Sequence, residues 1–352
     1  MELMQLQQVR QPVINFNVET AIPKLRVVEN ETEQKKETET VSITSQSKRK
    51  PFIEANTKEV DFNHLKQDCV IPVFSKDNEV TISHTNFIET VQDSISRVLP
   101  NVYINPPDIR VSHIIKGRTP EALHKPVSEL LDRDRTLYYE RMAFVIEIPS
   151  IYETVEGNRL NLTVGGVRAY NHENLYNKKT YEKFKVFIGF KNMVCCNMCI
   201  STNGYKEELR AMNCQQLLAH SVELFQKYNA KEQLQLLNSF GNHSLTEHQF
   251  AQLIGKTRLY QCLPPKQKKE LPSMDFGDGQ LNIIARNYYQ DKSFCRNDDG
   301  TINLWKVYNL FTEANKSSYI DTYLDRSVNA TNFLNGISKA LQGNLEYQWF
   351  IN

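Results

Sequence analysis

"YYERMAFVIEIPS" (residues 138–150) and "RLNLTVGGVRAY" (residues 159–170) stand on either side of "VEGN" (residues 155–158). Both arms are rich in aliphatic, aromatic and β-branched side chains, and Gly157 with Asn158 are residue types that accept the backbone of a tight turn. Together they read as one antiparallel hairpin, and the fold class follows from it. Upstream, "NFIETVQDSISRVL" sets Phe87, Ile88, Val91, Ile95, Val98 and Leu99 on one helical face, and Pro100 ends the run. "DIRVSHIIK" (108–116) alternates as a strand. "TPEALHKPVSELL" (119–131) is expected to start a helix, with Thr119 as its cap, Pro120 in the first helical position and Pro126 limiting or kinking it. Downstream, "KFKVFIGFKNMVCCNMCIST" (183–202) supplies one long or bent strand, closed by Asn203 and Gly204.

After about residue 213 the apolar period changes from two to 3.6. "NCQQLLAHSVELFQKY", "AKEQLQLLNSF", "SLTEHQFAQLIGKTRLYQCL", "GQLNIIARNYYQ", "INLWKVYNLFTEAN" and "NATNFLNGISKALQ" all repeat apolar residues three or four apart, and the third carries a reciprocal cap in Ser244 and Glu247. The expected class is α+β: an N-terminal antiparallel sheet with a few helices, followed by a mostly helical C-terminal half. The expected division is a disordered tail over 1–57, a sheet domain over 58–212, and a helical domain or subdomain over 213–352 packed on the sheet. The tail assignment rests on "ENETEQKKETETVSITSQSKRK" (29–50), which has too little apolar surface to offset the entropy of ordering.

A chain of 352 residues with 42 basic and 41 acidic side chains has a net charge of +1, which excludes attachment to nucleic acid or membrane by bulk charge. Any electrostatic partner must meet a local patch. No run reaches the roughly 18–20 apolar residues of a membrane helix, and "MELMQLQQVRQPVINF" has neither a basic start nor an apolar signal core, so a cytoplasmic location away from membranes is expected. Seven cysteines at irregular spacing are expected to be reduced there.

Three of those cysteines crowd "NMVCCNMCIS" (192–201). On a strand, Cys195, Asn197 and Cys199 share one face while Cys196 and Met198 take the other. A zinc knuckle would require a turn and two further ligands, with His243 and His248 the only paired histidines downstream. A nucleophile would require an adjacent base. The favoured reading is buried cysteine acting as a small apolar residue, with no metal and no cofactor. "IGKTR", "DFG" (275–277) and "NDDGT" (297–301) lack the companion residues of a phosphate loop, a kinase and a calcium loop.

The stretch from 159 to 192 is more informative. Arg159, Arg168, Lys178, Lys179, Lys183, Lys185 and Lys191 face only Glu173 and Glu182, and Tyr170, Tyr176, Tyr181, Phe184, Phe187 and Phe190 are interleaved with them. Cations neutralise phosphates, and rings stack on bases at about 1–3 kcal/mol each, so the combination points to a single nucleic-acid strand. A solvated lysine face over a core of alternating phenylalanines is the competing reading. Asn171, His172, Glu173 and Asn174 form a polar corner of unassigned role. Lys116 and Arg118, just before the expected helix start, are a second candidate anion site, and Asn315, Lys316 and Ser317 make a third polar cluster; helix capping with intramolecular pairing is the competing reading of both.

"RVSHIIKGRTPEALHK", "YYERMAF", "GGVRAYNHENLY", "FIGFKNMVCCNMC" and "LWKVYNLFTEANKSSYIDTYLDR" together resemble an uncharacterised protein family carried by conjugative transposons and prophage-like elements of gut anaerobic bacteria, over about residues 55–342. The chain is also distantly similar to a phage and plasmid protein family of unknown function, whose Asn-Ser-His-Asp turn and following strand are approximated by Asn171, His172, Glu173 and by Met193 to Asn197. The resemblance implies a mobile element, whose gene content favours nucleic-acid transactions. The resulting expectation is a non-enzymatic protein binding single-stranded DNA in replication or recombination, through Arg168, Tyr170, Tyr176, Lys178, Lys179, Lys183, Lys185, Lys116 and Arg118. Two alternatives stand beside it: a metal-dependent hydrolase or nuclease using His172 and Glu173, and a protein-binding module that counters a host defence factor through the tail or the helical half. An oligomer is compatible with each.

Overall fold

The computed structural model describes residues 50–69, 81–122, 124–170 and 181–352, with the backbone of 26–27. Its strands in chain order are β1 (Arg26–Val27), β2 (Lys58–Glu59), β3 (Asp108–Val111), β4 (Ile114–Arg118), β5 (Arg135–Tyr139), β6 (Arg141–Val155), β7 (Asn158–Ala169), β8 (Glu182–Asn192), β9 (Met198–Cys199), β10 (Tyr205–Ala211), β11 (Ser244–Leu245) and β12 (Ile302–Asn303). Among the described residues, eight of them form one curled antiparallel sheet in the order β10-β8-β7-β6-β3-β2, with β1 on β6 and β9 on β8. The expected hairpin is its centre: β6 and β7 pair from Arg141 opposite Ala169 to Val155 opposite Asn158.

The connecting turn is Glu156–Gly157, at φ +47° and +74°. Two left-handed residues in a two-residue loop give the twist that an antiparallel pair requires, and Gly157 adopts that conformation without a Cβ penalty. Asn158 is therefore the first strand residue and not part of the turn, and its Nδ2 donates to Glu156 O at 2.8 Å. Between Ile148 and Tyr152 the register slips, at Pro149, which has no N–H for the ladder.

The helices are α1 (Phe62–Gln67), α2 (His84–Val98), α3 (Cys214–Lys227), α4 (Ala230–Gly241), α5 (Glu247–Cys262), α6 (Pro265–Lys268), α7 (Asp278–Gln290), α8 (Leu304–Asn315) and α9 (Ile320–Leu341). Pleating sends alternate side chains to opposite faces. Met142, Phe144, Ile146 and Ile148 of β6, with Leu160, Leu162 and Val164 of β7, join Phe87, Ile88, Val91 and Ile95 of α2 and the apolar faces of the C-terminal helices in one continuous core. The other face sends Ala143, Val145, Val167 and Phe187 against Phe52, Ile53, Ile320, Tyr323 and Leu324. The middle of the sheet is covered on both sides.

Mixed helix and strand content around an antiparallel sheet agrees with the α+β expectation, and several local readings change. Most of the expected disordered tail lies outside the described residues, but Phe52 and Ile53 within it are fully buried. The expected helix over 119–131 is replaced by short 3-10 turns at Pro120–Ala122 and Val127–Glu129. Pro126 allows no continuous run of backbone bonds there. The cap of α5 is Thr246 with Gln249, not Ser244 with Glu247, because Ser244 and Leu245 are committed to pairing with β12. The cysteine run is not one strand: β8 stops at Asn192, and Cys196 sits at φ +60° in the turn before β9.

Two adjacent glycines let the sheet and its cover approach closely. A Cβ on Gly165 would lie 2.2 Å from Phe144 O, and one on Gly166 would lie 2.5 Å from Phe87 Cζ and 2.7 Å from Lys185 O. Gly166→Ala is expected to lower the unfolding free energy by about 1–3 kcal/mol through overpacking, measured as a lower urea midpoint. An unchanged midpoint would show that α2 does not seat on β7 as described.

Candidate nucleic-acid interface

The cationic stretch of β7 and β8 is built into the fold rather than displayed on it. Arg168 is 1% exposed; its guanidinium pairs with Glu182 and donates to Ile82 O beneath the start of α2. Tyr170, 3% exposed, lies under that guanidinium and beside His84, with the two rings 4.6 Å apart. Lys183 pairs with Glu208 of β10. Lys185 reaches α9, where it pairs with Asp325 and donates to Asp321 O at 2.7 Å. Lys191 is buried against Glu147, and Arg159 stacks 3.9 Å over the Tyr152 ring. Phe184, Phe187 and Phe190 are all sealed in the core. Tyr176, Lys178 and Lys179 lie outside the described residues, as do Asn171, His172, Glu173 and Asn174. The expected stacking platform is therefore not presented by Tyr170 or the phenylalanines, because the sheet is covered on both faces and β8 runs through its middle. A cleft of about 640 Å³ does open beside Lys183 and Lys185, but Glu207, Glu208 and Asp321 line it too. Its charges cancel.

The polar cluster at the end of α8 is also structural. Lys316 is buried, pairs with Glu313 at 2.8 Å and donates to Cys195 O. Its own carbonyl accepts from Glu54 N at 2.8 Å, which pins the segment carrying Phe52 and Ile53 to the helical half. Asn315 Nδ2 bonds Tyr323 O and Ser327 Oγ at 2.9 Å, and Ser317 Oγ caps Ala314 O at 2.7 Å. The cysteines sit in the same region. Burial pushes the Cys195 thiol up to about 12 and raises Cys199 further. Both are held as neutral thiols, as the apolar reading of the run requires. Among the described residues no group of three or more His, Cys, Asp or Glu side chains is arranged to hold a metal.

Lys116 and Arg118 have a different setting. They do not precede a helix; they lie on β4, which pairs with β5 as a separate two-stranded sheet. β4 continues β3 and β5 leads into β6, so this is one long hairpin whose outer part runs on past the end of β7. Five residues at roughly 3.4 Å each give it a stem of about 17 Å. The register sets Lys116 opposite Leu137 and Arg118 opposite Arg135. Alternation then places Lys116, Arg118 and Arg135 on one face. Lys116 and Arg133 make no ion pair or hydrogen bond among the described residues, and the Arg135 side chain is 63% exposed, with only the solvated Asp132 at 3.5 Å. The tip is tied internally: Lys125 Nζ contacts both Asp134 oxygens at 2.9 Å, and Arg118 Nη1 donates to Lys125 O at 2.7 Å. The Leu131 amide, then Lys125, hold the Asp134 carboxyl below its usual range. Arg133 and Arg135 went unrecognised in the sequence because "RDRDR" reads as a solvated loop. The detectable signal was the alternation of "RTLYY", which matches that of "HIIKGR".

A curled antiparallel sheet covered by helices, with a two-stranded ribbon extending from it that sets Lys116, Arg118 and Arg135 on one face, defines an α+β protein. The chain belongs to the family described as "Domain of unknown function, B. Theta Gene description (DUF3871)", whose model matches residues 34–351. No curated protein and no solved structure matches it. Among the described residues no helix is long and apolar enough to cross a membrane.

The buried cluster under α2 has a measurable signature. Burial, and then the neighbouring Arg168 charge, push His84 down from 6.5 to about 3, while its Nε2 contacts Tyr139 O at 2.8 Å. Between those two pH values the unfolded chain binds a proton that the folded chain refuses, so stability falls as pH drops through that window. This group contributes up to about 1.4 kcal/mol per pH unit. Urea unfolding of His84→Gln is expected to show a shallower pH dependence than the wild type across that range; an identical slope would contradict the burial. In the native protein, a thiol reagent is expected to modify the exposed Cys262 and to spare Cys195, Cys196 and Cys199 until denaturant is added.

Proposed function

We propose that this protein is a non-enzymatic nucleic-acid-binding protein that seats the β4–β5 ribbon in a groove of duplex DNA, in the replication or recombination of a mobile element. One observation carries the reading: Arg118 and Arg135 are direct cross-strand neighbours, with Lys116 on the same face. Like charges directly opposite each other destabilise a strand pair. A polyanion relieves that repulsion and releases its own counterions in doing so. The major groove, about 12 Å wide, admits a two-stranded ribbon. The tip carries Glu121, Glu129, Asp132 and Asp134, so the stem face is the part that meets phosphates. Duplex is preferred over the single strand first expected because Tyr170, Phe184, Phe187 and Phe190 are not available for stacking. The resemblance to proteins of conjugative and prophage-like elements supports the setting.

Fluorescence anisotropy with labelled duplex and single-stranded DNA tests this, at about 50 and 200 mM salt. Duplex binding that weakens with salt is expected. In the Lys116→Ala/Arg135→Ala double variant affinity should drop, and the slope of log affinity against log salt should fall by about 1.8, the loss of two phosphate contacts. Arg118 is left intact because it braces the tip through Lys125 O. Absence of duplex binding at low salt, or an unchanged slope in the folded variant, would refute the assignment.

A further inference from the structure

One cysteine outside the 192–201 run has the companions that the run lacks. α1 is capped at its start by Asp61, whose carboxylate accepts from Asn63 N at 2.6 Å, and it is held to the core by buried Leu65 with Phe62 packed alongside. Positions four apart share a helical face, so His64 and Asp68 meet at the last turn, with His64 Nδ1 2.8 Å from Asp68 Oδ2. The helix ends there, where Asp68 N donates to His64 O at 3.0 Å, and the chain brings Cys69 Sγ to 3.8 Å from His64 Nε2. Among the described residues no other cysteine has a histidine within reach of its sulfur.

The partners of His64 fix its tautomer. An ionised carboxylate only accepts, so Nδ1 carries the proton and Nε2 presents its lone pair. Two donors face that lone pair, the Cys69 thiol and the Tyr139 hydroxyl at 2.9 Å. Tyr139, the last residue of β5, is 1% exposed, so its hydroxyl is a fixed point for the imidazole. A hydroxyl donates to the neutral ring and accepts from the protonated one, and therefore serves His64 before and after a proton transfer. The Asp68 carboxylate stabilises the imidazolium by its charge. Thiol, base and orienting acid thus stand in the order that an activated nucleophile requires. The site is open to solvent: the His64 side chain is 31% and that of Asp68 60% exposed, and Cys69 is half-buried.

The resting state of the thiol selects the reaction. Burial, and then the Asp68 carboxylate, push Cys69 up from 9.0 to about 11, against the opposing charge of Lys58, whose ammonium stands 5.1 Å over the Tyr139 ring. A standing thiolate is therefore scarce at neutral pH, which disfavours peroxide oxidation and disulfide exchange, since both consume the thiolate. A thiol that gives up its proton during attack, beside a base that can return that proton to a departing group, suits acyl transfer. Cys195 and Cys199 are also raised by burial but have no such base. Among acyl donors a thioester is the matched class. Sulfur then replaces sulfur, so the bond made and the bond broken are of one kind, whereas an oxygen ester would have to expel a more basic alkoxide.

We propose that Cys69 is an acyl-acceptor thiol that takes an acyl group from a thioester, with His64 as its general base and Asp68 as the residue that positions His64. Sγ attacks the acyl carbon, the thiol proton passes to His64 Nε2 and on to the departing sulfur, and the donor's carbon–sulfur bond breaks. The products are S-acylated Cys69 and a free thiol, with nothing oxidised or reduced. None of this chemistry depends on the nucleic-acid reading. In the test, the full-length protein is mixed with S-phenyl thioacetate near neutral pH, and acetylation of each cysteine is followed by peptide mass spectrometry. Cys69 is expected to react at least about tenfold faster than the more exposed Cys262, and His64→Ala to slow Cys69 by about 100-fold, the low end of general-base catalysis, without changing Cys262. Free imidazole should restore part of the Cys69 rate in His64→Ala relative to Cys262, and Asp68→Asn should slow Cys69 in the wild type but not in His64→Ala, outcomes that a merely structural role does not produce. Unmodified Cys195 and Cys199 report an intact fold in each variant; should His64→Ala expose them, His64→Gln takes its place. Cys69 reacting no faster than Cys262, or as fast without His64, overturns the proposal. A slowed Cys69 that imidazole does not rescue, with Asp68→Asn slowing it equally in both backgrounds, overturns it too.

Discussion

Covering both faces of the β6–β7–β8 sheet is the constraint from which most of the molecule follows. A strand with one wet face alternates apolar and polar residues, but a strand between two packed layers must make every side chain apolar, minimal or electrically paired. β8 does all three along its length, with phenylalanines on both faces, Gly189 where Cys199 O would meet a Cβ at 2.5 Å, and Lys191 neutralised by Glu147. Breaking one partner of such a buried pair costs far more than the pair contributes, because the remaining charge is left unpaired. The basic residues of the centre are thereby committed to the fold.

The same constraint explains why the appendage is chemically different. Where β7 ends at Ala169, the long hairpin loses its third strand. Tyr139 at the base of β5 still enters the core and Leu137 packs against it, whereas Lys116 and Arg135 further out answer to solvent. Like charges can stand opposite each other there, as Arg118 and Arg135 do.

The cysteine run shows how a chemically conspicuous sequence is absorbed by packing. Cys195, Cys196 and Cys199 bracket a tight turn between β8 and β9. Asn309 and Lys316 of the helical half reach that turn, through Asn309 Oδ1 with Asn192 Nδ2 at 3.0 Å and through Lys316 with Cys195 O. The run therefore links the sheet to α8. Small apolar thiols suit a turn sealed against a helix, and burial, which raises the Cys195 and Cys199 thiols, keeps those two protonated and unreactive.

Sequence alone determined the elements whose signals are local. The period-two arms around "VEGN", the 3.6-residue period after residue 213 and the apolar face of α2 each encode burial by repetition along the chain. Only the tertiary structure decided what the charged residues do. Whether Lys185 meets solvent or Asp325, 140 positions away, depends on where α9 crosses the sheet, and no spacing in the primary sequence records that crossing. For the same reason, the pairing of Arg118 with Arg135 and the meeting of His64 with Tyr139 were invisible until the hairpin register and the seat of α1 were fixed. Periodicity reports which side of an element is covered; charge partners belong to distant chain segments, and only packing brings them together.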